Sequence, residues 1–445
     1  MTVAQTKPNS SQPQDSRPFQ AVADLHLSSD SSPLSTESIA EFDVAIVGGG
    51  IVGLTLACAL KSSGLRLALI EATPREAGLT RRRAYHITLL SGQVLAGLGI
   101  WDEVLPQITT FQQIRLADEH YPAVVQLQPN DLGRDALGYV AEHPVLVRSL
   151  QNALADAPNL TWYCPARLVH TDYQPDWVQL QVQQGEAKHL LKTRLLVAAD
   201  GARSPIRQQV GIQTQGWQYW QSCITAVIRP EKSHENIARE HFWTSGPFAT
   251  LPLPDNCAQI VLTAPHPEAE ALMHLSNAEF LQELDRRYAG QLGQLELVSD
   301  RLLFPVQLMH SKQYVQPRLV LVGDAAHCCH PVGGQGLNLG IRDAATLAQT
   351  LQTAHRRGED WGSLRVLNRY QRWRRLEALL ILGFTDLLDR LFSNKILPIV
   401  VLRRFGLQMM RRVGILRFLA LRLMTGLSGR IPALAKESIN RIGLD

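Results

Sequence analysis

The chain is 445 residues long, 45% apolar and 19% charged, with a formal net charge of +4. At about 100–200 residues per unit, that length carries two or three structural units, and the composition allows a large buried core. The small charge, without runs of Lys and Arg interleaved with aromatic residues, excludes a nucleic-acid groove.

Residues 1–40 are rich in Ser, Pro and Gln and lack apolar periodicity, so a disordered leader is expected there. The segment has neither the apolar core of a signal peptide nor the Arg-rich, acid-poor character of a transit peptide. Order is predicted to begin at Phe42. Asp43 to Val47 reads as a short apolar strand stopped by Gly48-Gly49-Gly50, and Ile51 to Lys61 carries apolar residues at helical spacing. Leu67 to Ile70 gives a second strand closed by Glu71, which completes a parallel βαβ unit.

The middle of the chain changes character. Trp177–Val182, His189–Ala198, Trp217–Ile228, His241–Trp243 and Gln259–Thr263 read as strands of an antiparallel meander. Leu319–Val322 returns as a buried strand and Leu337–Leu351 as a helix. From Trp361 the pattern is helical, with interruptions expected at Pro398, Gly406, Gly414 and Pro432. No stretch approaches the roughly 20 uncharged apolar residues that span a bilayer. From Ile381 to Asp445, eleven Lys and Arg stand against four Asp and Glu, a balance of +7 that leaves −3 for the remainder. Arg403, Arg404, Arg411, Arg412 and Arg422 punctuate apolar residues there, a pattern suited to a helix lying on an anionic bilayer or on a partner protein.

Gly48-Gly49-Gly50-Ile51-Val52-Gly53 is a GxGxxG between a strand and a helix. Gly48 permits the tight turn, Gly50 lets the backbone approach a pyrophosphate, and Gly53 lets the helix pack close to the strand. The helix N-terminus offers free N–H groups to phosphates, and Glu71 is placed to accept from a ribose diol. A second strand–loop–helix passage runs from Gly323-Asp324-Ala325-Ala326-His327 through His330-Pro331-Val332-Gly333-Gly334-Gln335-Gly336-Leu337-Asn338. Asp324 suits a polyol chain, and the N–H groups from Gly334 to Leu337 suit a ring that gains negative charge. A third motif, Asp200-Gly201-Ala202-Arg203-Ser204-Pro205-Ile206-Arg207, follows an apolar strand. The six cysteines, at 58, 164, 223, 257, 328 and 329, form no CxxC pair and suit a reducing, cytoplasmic setting. His327, Cys328, Cys329 and His330 look superficially like a metal cluster, but the surrounding glycines explain the segment better, and no metal is expected.

These three motifs, in this order, resemble those of the single-component flavoprotein monooxygenases of the para-hydroxybenzoate hydroxylase type, from about Glu41 to the C-terminus. Within that family the sequence is most similar to the ubiquinone-biosynthesis hydroxylases. The markers are Gly138-Tyr139-Val140-Ala141-Glu142, the His330-Pro331 loop, Asn338-Leu339-Gly340-Ile341-Arg342-Asp343, and Thr385-Asp386-Leu387-Leu388-Asp389-Arg390-Leu391-Phe392-Ser393-Asn394. The resemblance implies that Gly48, Gly50, Gly53 and Glu71 hold the ADP half of FAD, and that Asp324 holds its ribityl chain. Asp200 then lies near FAD and the nicotinamide donor, NADPH or NADH. Arg83 contacts FAD, Pro331 lies by the flavin carbon where oxygen adds, and Gly334, Gln335, Gly336, Leu337 and Asn338 border the ring.

The implied reaction inserts one atom of dioxygen into the ring of a lipid-soluble, polyprenylated phenol. His86, His143 and His327 are candidates for a base by residue type alone, with His86 placed among the catalytic residues. After Arg83 the family has small apolar residues, whereas this chain has Tyr85 and His86. Residues and resemblance together predict an α/β fold: a Rossmann-like FAD-binding domain (41–115, 138–210 and 311–380) interleaved with a mixed, largely antiparallel β-sheet substrate domain (116–137 and 211–310). A helical C-terminal region (381–445) follows, expected to place the protein peripherally on a membrane or in a biosynthetic complex. Two other readings stay open: a prenyl-chain reductase or epoxidase on the same fold, and a non-catalytic prenyl carrier.

Overall fold

A computed structural model describes residues 39–119 and 121–436. Of the expected leader, 1–38 lie outside the described residues, and Ala40 already opens the first strand. That strand, Ala40–Val47, pairs in parallel with Leu67–Ile70 on one side and Ala187–Ala198 on the other. Leu160–Tyr163 joins beyond Leu67–Ile70, and Leu319–Leu321 beyond Ala187–Ala198, both in parallel. Strands covered on both faces read as unbroken apolar runs, which is the composition of these segments. One cover is the helix pair Ile51–Leu60 and Gly336–Arg356, packed against each other.

The hairpin Arg167–Tyr173 and Val178–Gln184 extends this first sheet antiparallel to Ala187–Ala198. The first two strands of the expected meander therefore belong here, beside the glycine loops. The others enter a nine-stranded sheet centred on the long strand Thr214–Pro230, which pairs antiparallel with Ala258–Pro265, Leu295–Leu297 and Leu302–Ser311. Its far side continues through Gly246–Pro252 and Ile237–Trp243 to Gln113–Asp118, which pairs in parallel with Ile237–Trp243 and straddles the expected 115/116 division. A small third sheet, Ala84–Ile87, Gly138–Glu142 and Thr109–Phe111, joins the two. The Ala84 N–H donates to Gln259 Oε1 of the large sheet at 3.0 Å, and the His86 carbonyl accepts from Asn338 Nδ2 at 2.7 Å.

Three helices close the chain: Leu364–Phe392, Leu397–Arg412 and Gly414–Met424. The first buries Tyr370, Arg374, Ala378, Ile381 and Thr385 at three- and four-residue steps. Pro398 sits in the first turn of the second, where its missing N–H costs nothing. Gly406 lies inside that helix and does not interrupt it, because an exposed glycine only weakens a helix that tertiary packing holds. Arg403 differs from the lipid-facing role expected for it. It is 3% exposed, Nε meets Asp118 Oδ2 at 2.6 Å, and Nη1 donates to the carbonyls of Phe392 and Asn394. Among the described residues no helix is long and apolar enough to cross a membrane.

Candidate active site

The motif loops all leave the carboxyl ends of parallel strands. Gly48 follows Val47, Glu71 follows Ile70, Asp200 lies two residues beyond Ala198, and Gly323 lies two beyond Leu321. In an open parallel sheet this edge is where ligands bind. Gly48 adopts φ +111°, and a Cβ there would collide with the Ala199 carbonyl. A Cβ on Gly53 would collide with the Gly48 carbonyl oxygen, so both glycines serve close packing. Gly50 is different: a Cβ there meets nothing within 4 Å. It is also the N-cap of Ile51–Leu60, with no side chain capping the helix. Glu71 fixes this loop: Oε2 accepts the Gly49 N–H at 2.6 Å, while Oε1 accepts the Thr73 N–H at 2.8 Å and the Thr73 hydroxyl at 2.6 Å. A cleft beside it is bordered by Gly49, Gly50, Arg75, Arg81, His143 and Trp162.

The second and third motifs meet each other. Arg207 is buried and donates from Nη1 to the Ala325 carbonyl and from Nη2 to the Ala202 carbonyl, both at 2.8 Å. Asp200 Oδ2 accepts the Ile206 N–H at 3.4 Å, Oδ1 is buried without a partner, and burial raises the carboxyl pKa. Asp324 is the exposed residue of a turn whose neighbours Gly323 and Ala325 are buried. Under that turn lies Asp343, 0% exposed. Its Oδ2 accepts the Gly323 N–H at 3.0 Å and meets His327 Nε2 at 2.7 Å, and its Oδ1 accepts from Arg374 Nε at 2.7 Å. Burial raises the Asp343 pKa, but the charges and hydrogen bonds of His327 and Arg374 outweigh it and hold the carboxyl down to about 2. His327 is therefore held on Asp343 as a support for the turn.

The loop Pro331–Gln335 lies between this turn and the large sheet. Gly333 and Gly334 adopt φ +73° and +61°, and a Cβ on Gly334 would come within 2.8 Å of His86 Cβ. His86 Nδ1 lies 3.1 Å from the Gly333 carbonyl oxygen, which makes Nδ1 the protonated nitrogen and leaves Nε2 a buried acceptor without a partner. Burial lowers the His86 pKa, so the ring is neutral. Gln335 Nε2 donates to the carbonyls of Gly333 and Met424, at 3.2 and 2.9 Å. Asn338 is fully engaged inside the protein, with Oδ1 accepting the Thr88 N–H at 2.9 Å and Nδ2 donating to the His86 and Gly334 carbonyls.

The loop forms one wall of an apolar cavity of about 200 Å³, reached by His86, Pro331 and Gly334. Leu116, Ala238 and Leu251 of the large sheet form a second wall, and Phe384, Leu407 and Met424 of the C-terminal helices a third. Of the three histidines considered as bases, His86 alone borders this cavity. His143 borders the Gly50 cleft instead, 3.2 Å from the Tyr85 hydroxyl, and burial with Arg81 and Arg83 lowers its pKa to about 4. Arg83 is exposed, its guanidinium over the rings of Tyr85 and Phe304.

Glu240 is a cavity residue to which none of the motifs points. Glu240 lies in the strand Ile237–Trp243, on the face it shares with Ala238 and Phe242, both of which line the same cavity. The available signal was that period of two, which sets a carboxyl between two core positions. Burial pushes its pKa up to about 8, against a hydrogen bond from the Gly333 N–H.

Residues 41–384 match the family described as the FAD binding domain. The ubiquinone hydroxylase UbiL of Rhodospirillum rubrum is 37% identical over 85% of this chain and 88% of its own. The 3-demethoxyubiquinol 3-hydroxylase of Escherichia coli is 35% identical over 86% of this chain and 98% of its own. The chain belongs to this family of FAD-binding hydroxylases. It is an FAD-dependent monooxygenase. The p-nitrophenol 4-monooxygenase PnpA of Pseudomonas putida has the same fold, with a TM-score of 0.72 at 20% identity over 90% of this chain and 99% of that one.

In this hydroxylase, the Thr385–Asn394 motif ties the first C-terminal helix to the large sheet and to the His330-Pro331 loop. Asp386 Oδ1 accepts the Tyr219 hydroxyl at 2.7 Å, and Oδ2 accepts from Arg390 Nε at 2.8 Å. Asp389 accepts the Ser393 hydroxyl at 2.7 Å and lies 3.6 Å from His330 Nε2. His330 Nδ1 accepts the Val332 N–H at 3.2 Å, and its ring packs edge-on against Tyr219. Burial lowers the His330 pKa to about 3, so it acts as a neutral spacer that fixes the approach to Pro331.

Proposed function

We propose that this monooxygenase hydroxylates the ring of a polyprenylated phenol in quinone biosynthesis, with FAD, NADPH or NADH, and dioxygen. The observation that carries the reading is the apolar cavity between the Pro331–Gln335 loop, the large sheet and the C-terminal helices. Its walls suit an aromatic ring with a hydrocarbon tail, and the names of the hydroxylases at 35% and 37% identity point the same way. Overall, a ring C–H, dioxygen, the nicotinamide hydride and one proton become a ring C–OH, water and the oxidised nicotinamide.

The residues suit the cofactor. Open space at Gly50 and an uncapped helix N-terminus fit a pyrophosphate. Gly48 and Gly53 hold that loop against the sheet, and Glu71 keeps it in place while retaining acceptor capacity for a ribose. Exposed Asp324 fits the ribityl chain, and exposed Arg83 suits a contact with the cofactor. The second uncapped helix start, Gly334 to Leu337, would meet a ring that gains negative charge, with Gln335 and Asn338 holding the loop. Bound FAD supplies the redox chemistry and the activation of oxygen; the chain binds, orients and excludes water. Pro331 bounds the reacting edge of the cavity, and His86 Nε2 accepts a hydrogen bond from a ring substituent.

Reconstituted protein tests this. It should be yellow, bleach with NADPH or NADH without oxygen, and add one oxygen atom from labelled dioxygen to the ring of 2-geranylphenol. Oxygen on the chain would mean an epoxidase, added hydrogen a reductase, and no turnover without flavin binding a carrier; each would refute the proposal.

We further propose peripheral seating on an anionic bilayer. Leu380, Leu397, Val401, Leu402, Phe405 and Ile415 are 59–72% exposed on the three C-terminal helices, with exposed Arg411, Arg412 and Arg422 nearby. Wild type should sediment with phosphatidylglycerol-containing vesicles, and the L402S/F405S double variant should stay in solution. Wild type left in solution would sink the idea.

A further inference from the structure

Glu240 forms no ion pair among the described residues. Its strand is paired on both sides, with Ala249 and Leu116 opposite it, so its side chain is fixed on the cavity face. Among the described residues Oε1 is buried without a hydrogen-bond partner, and the Gly333 backbone holds the carboxyl pKa down only in part. Adjacent Arg239 is occupied elsewhere, Nη1 donating to the carbonyls of His234 and Ile237. A buried carboxyl outside any ion pair costs stability, and such groups gather where chemistry needs them.

Gly333 links Glu240 to the other polar group of the cavity. Its N–H faces the carboxyl and its carbonyl faces His86 Nδ1. The two differ in what they can do with a proton. Burial disfavours a proton on His86, whereas burial favours one on Glu240. His86 is suited to accept a hydrogen bond, and Glu240 to hold a proton. Cys223, which feels the Glu240 charge, is itself pushed up to about 12 by burial and stays neutral.

We propose that Glu240 binds the ring hydroxyl of the phenol and takes up its proton as the ring is oxygenated, an inference that rests on the ring-hydroxylation reading. The phenolic O–H bond breaks and its proton forms an O–H bond on the Glu240 carboxylate. The electron pair left on the ring oxygen moves into the ring, and the carbon ortho or para to it forms the new C–O bond to one atom of dioxygen. That carbon then releases its own proton to the departing second oxygen atom, which restores aromaticity, and Glu240 returns its proton to the ring oxygen. The nicotinamide supplies the two electrons, and the second oxygen atom leaves as water. Because the acceptor is the ionised carboxylate, the oxygenation rate should rise as pH rises through about 8.

The test uses the FAD-reconstituted full chain, 2-geranylphenol for turnover, and 4-fluorophenol for ¹⁹F NMR without donor. In wild type the bound fluorine signal should show an inflection near pH 8, where Glu240 ionises. E240Q should lose that inflection, bind 2-geranylphenol within a few-fold of wild type, and hydroxylate it about 100-fold more slowly with no rise toward alkaline pH. E240D should restore part of the rate and a displaced inflection. A wild-type signal without an inflection overturns the proposal whatever the variants do, and so does E240Q with an unaltered rate and profile. Wild type that holds FAD but hydroxylates no phenol refutes the ring-hydroxylation reading instead.

Discussion

Replacing Asp343 by Asn removes the buried negative charge on which His327, Arg374 and the Gly323 N–H converge. Its folded pKa is about 2 against an ordinary 3.8, so ionisation at this site stabilises the fold by about 2 kcal/mol at neutral pH. The sign follows from the downward shift: the contribution is present above about pH 4 and is lost as pH falls toward 2. The substitution costs more than that, because it strands the Arg374 guanidinium. Breaking a buried pair costs about 3–5 kcal/mol, and since Glu377 also pairs with Arg374 the lower end, about 3 kcal/mol, is expected. Urea unfolding at neutral pH measures it, and the gap between wild type and D343N should narrow as pH falls from about 4. FAD affinity, read by flavin fluorescence, should weaken as well, because the Gly323–Asp324 turn loses its anchor. A loss below about 1 kcal/mol, with a gap independent of pH, would refute this account of the turn.

The two glycines of the first loop should separate packing from ligand space. G53A forces a Cβ onto the Gly48 carbonyl and should destabilise the apoprotein by about 1–3 kcal/mol, whereas G50A should fold normally and bind FAD more weakly. Equal apoprotein stabilities would contradict that division. Arg403→Met should cost about 3–5 kcal/mol in urea unfolding, since the Asp118 carboxylate loses its buried guanidinium partner. A surface-like loss below about 1 kcal/mol would return Arg403 to the bilayer face. Tyr219→Phe removes the hydroxyl held by Asp386 and should cost about 1.5–3 kcal/mol by the same measurement.

The glycine loops were legible in the sequence because their signal is local. A strand, a glycine run and a helix lie within a dozen residues, and backbone geometry requires those residue types at those positions. What the sequence left hidden depends on register and on partners far along the chain. Glu240 faces the cavity because its strand pairs with Gln113–Asp118, more than a hundred residues earlier. His327 is held by Asp343, on the next helix, a partner that its own motif does not announce. Arg403 is surrounded by apolar helix residues and reads like its neighbours, yet Asp118 draws that one turn inward. The expected break at Gly406 does not occur for the opposite reason: the packing that holds the helix outweighs the low local propensity of glycine.

The cavity's third wall carries a liability for the cell. Leu407, Met410, Ala420 and Met424 reach the cavity from helices that begin only after the linker 393–396. A chain cut or terminated in that linker would keep every glycine loop, and with them the means to be reduced. It would keep Phe384, Leu388 and Phe392 but lose the part of the wall made by Leu407, Met410, Ala420 and Met424. Oxygen would still meet reduced cofactor there, and the electrons would leave as peroxide rather than in product. The last helices thus complete a chamber whose loss should raise peroxide release per nicotinamide oxidised, measurable with the chain ended in that linker.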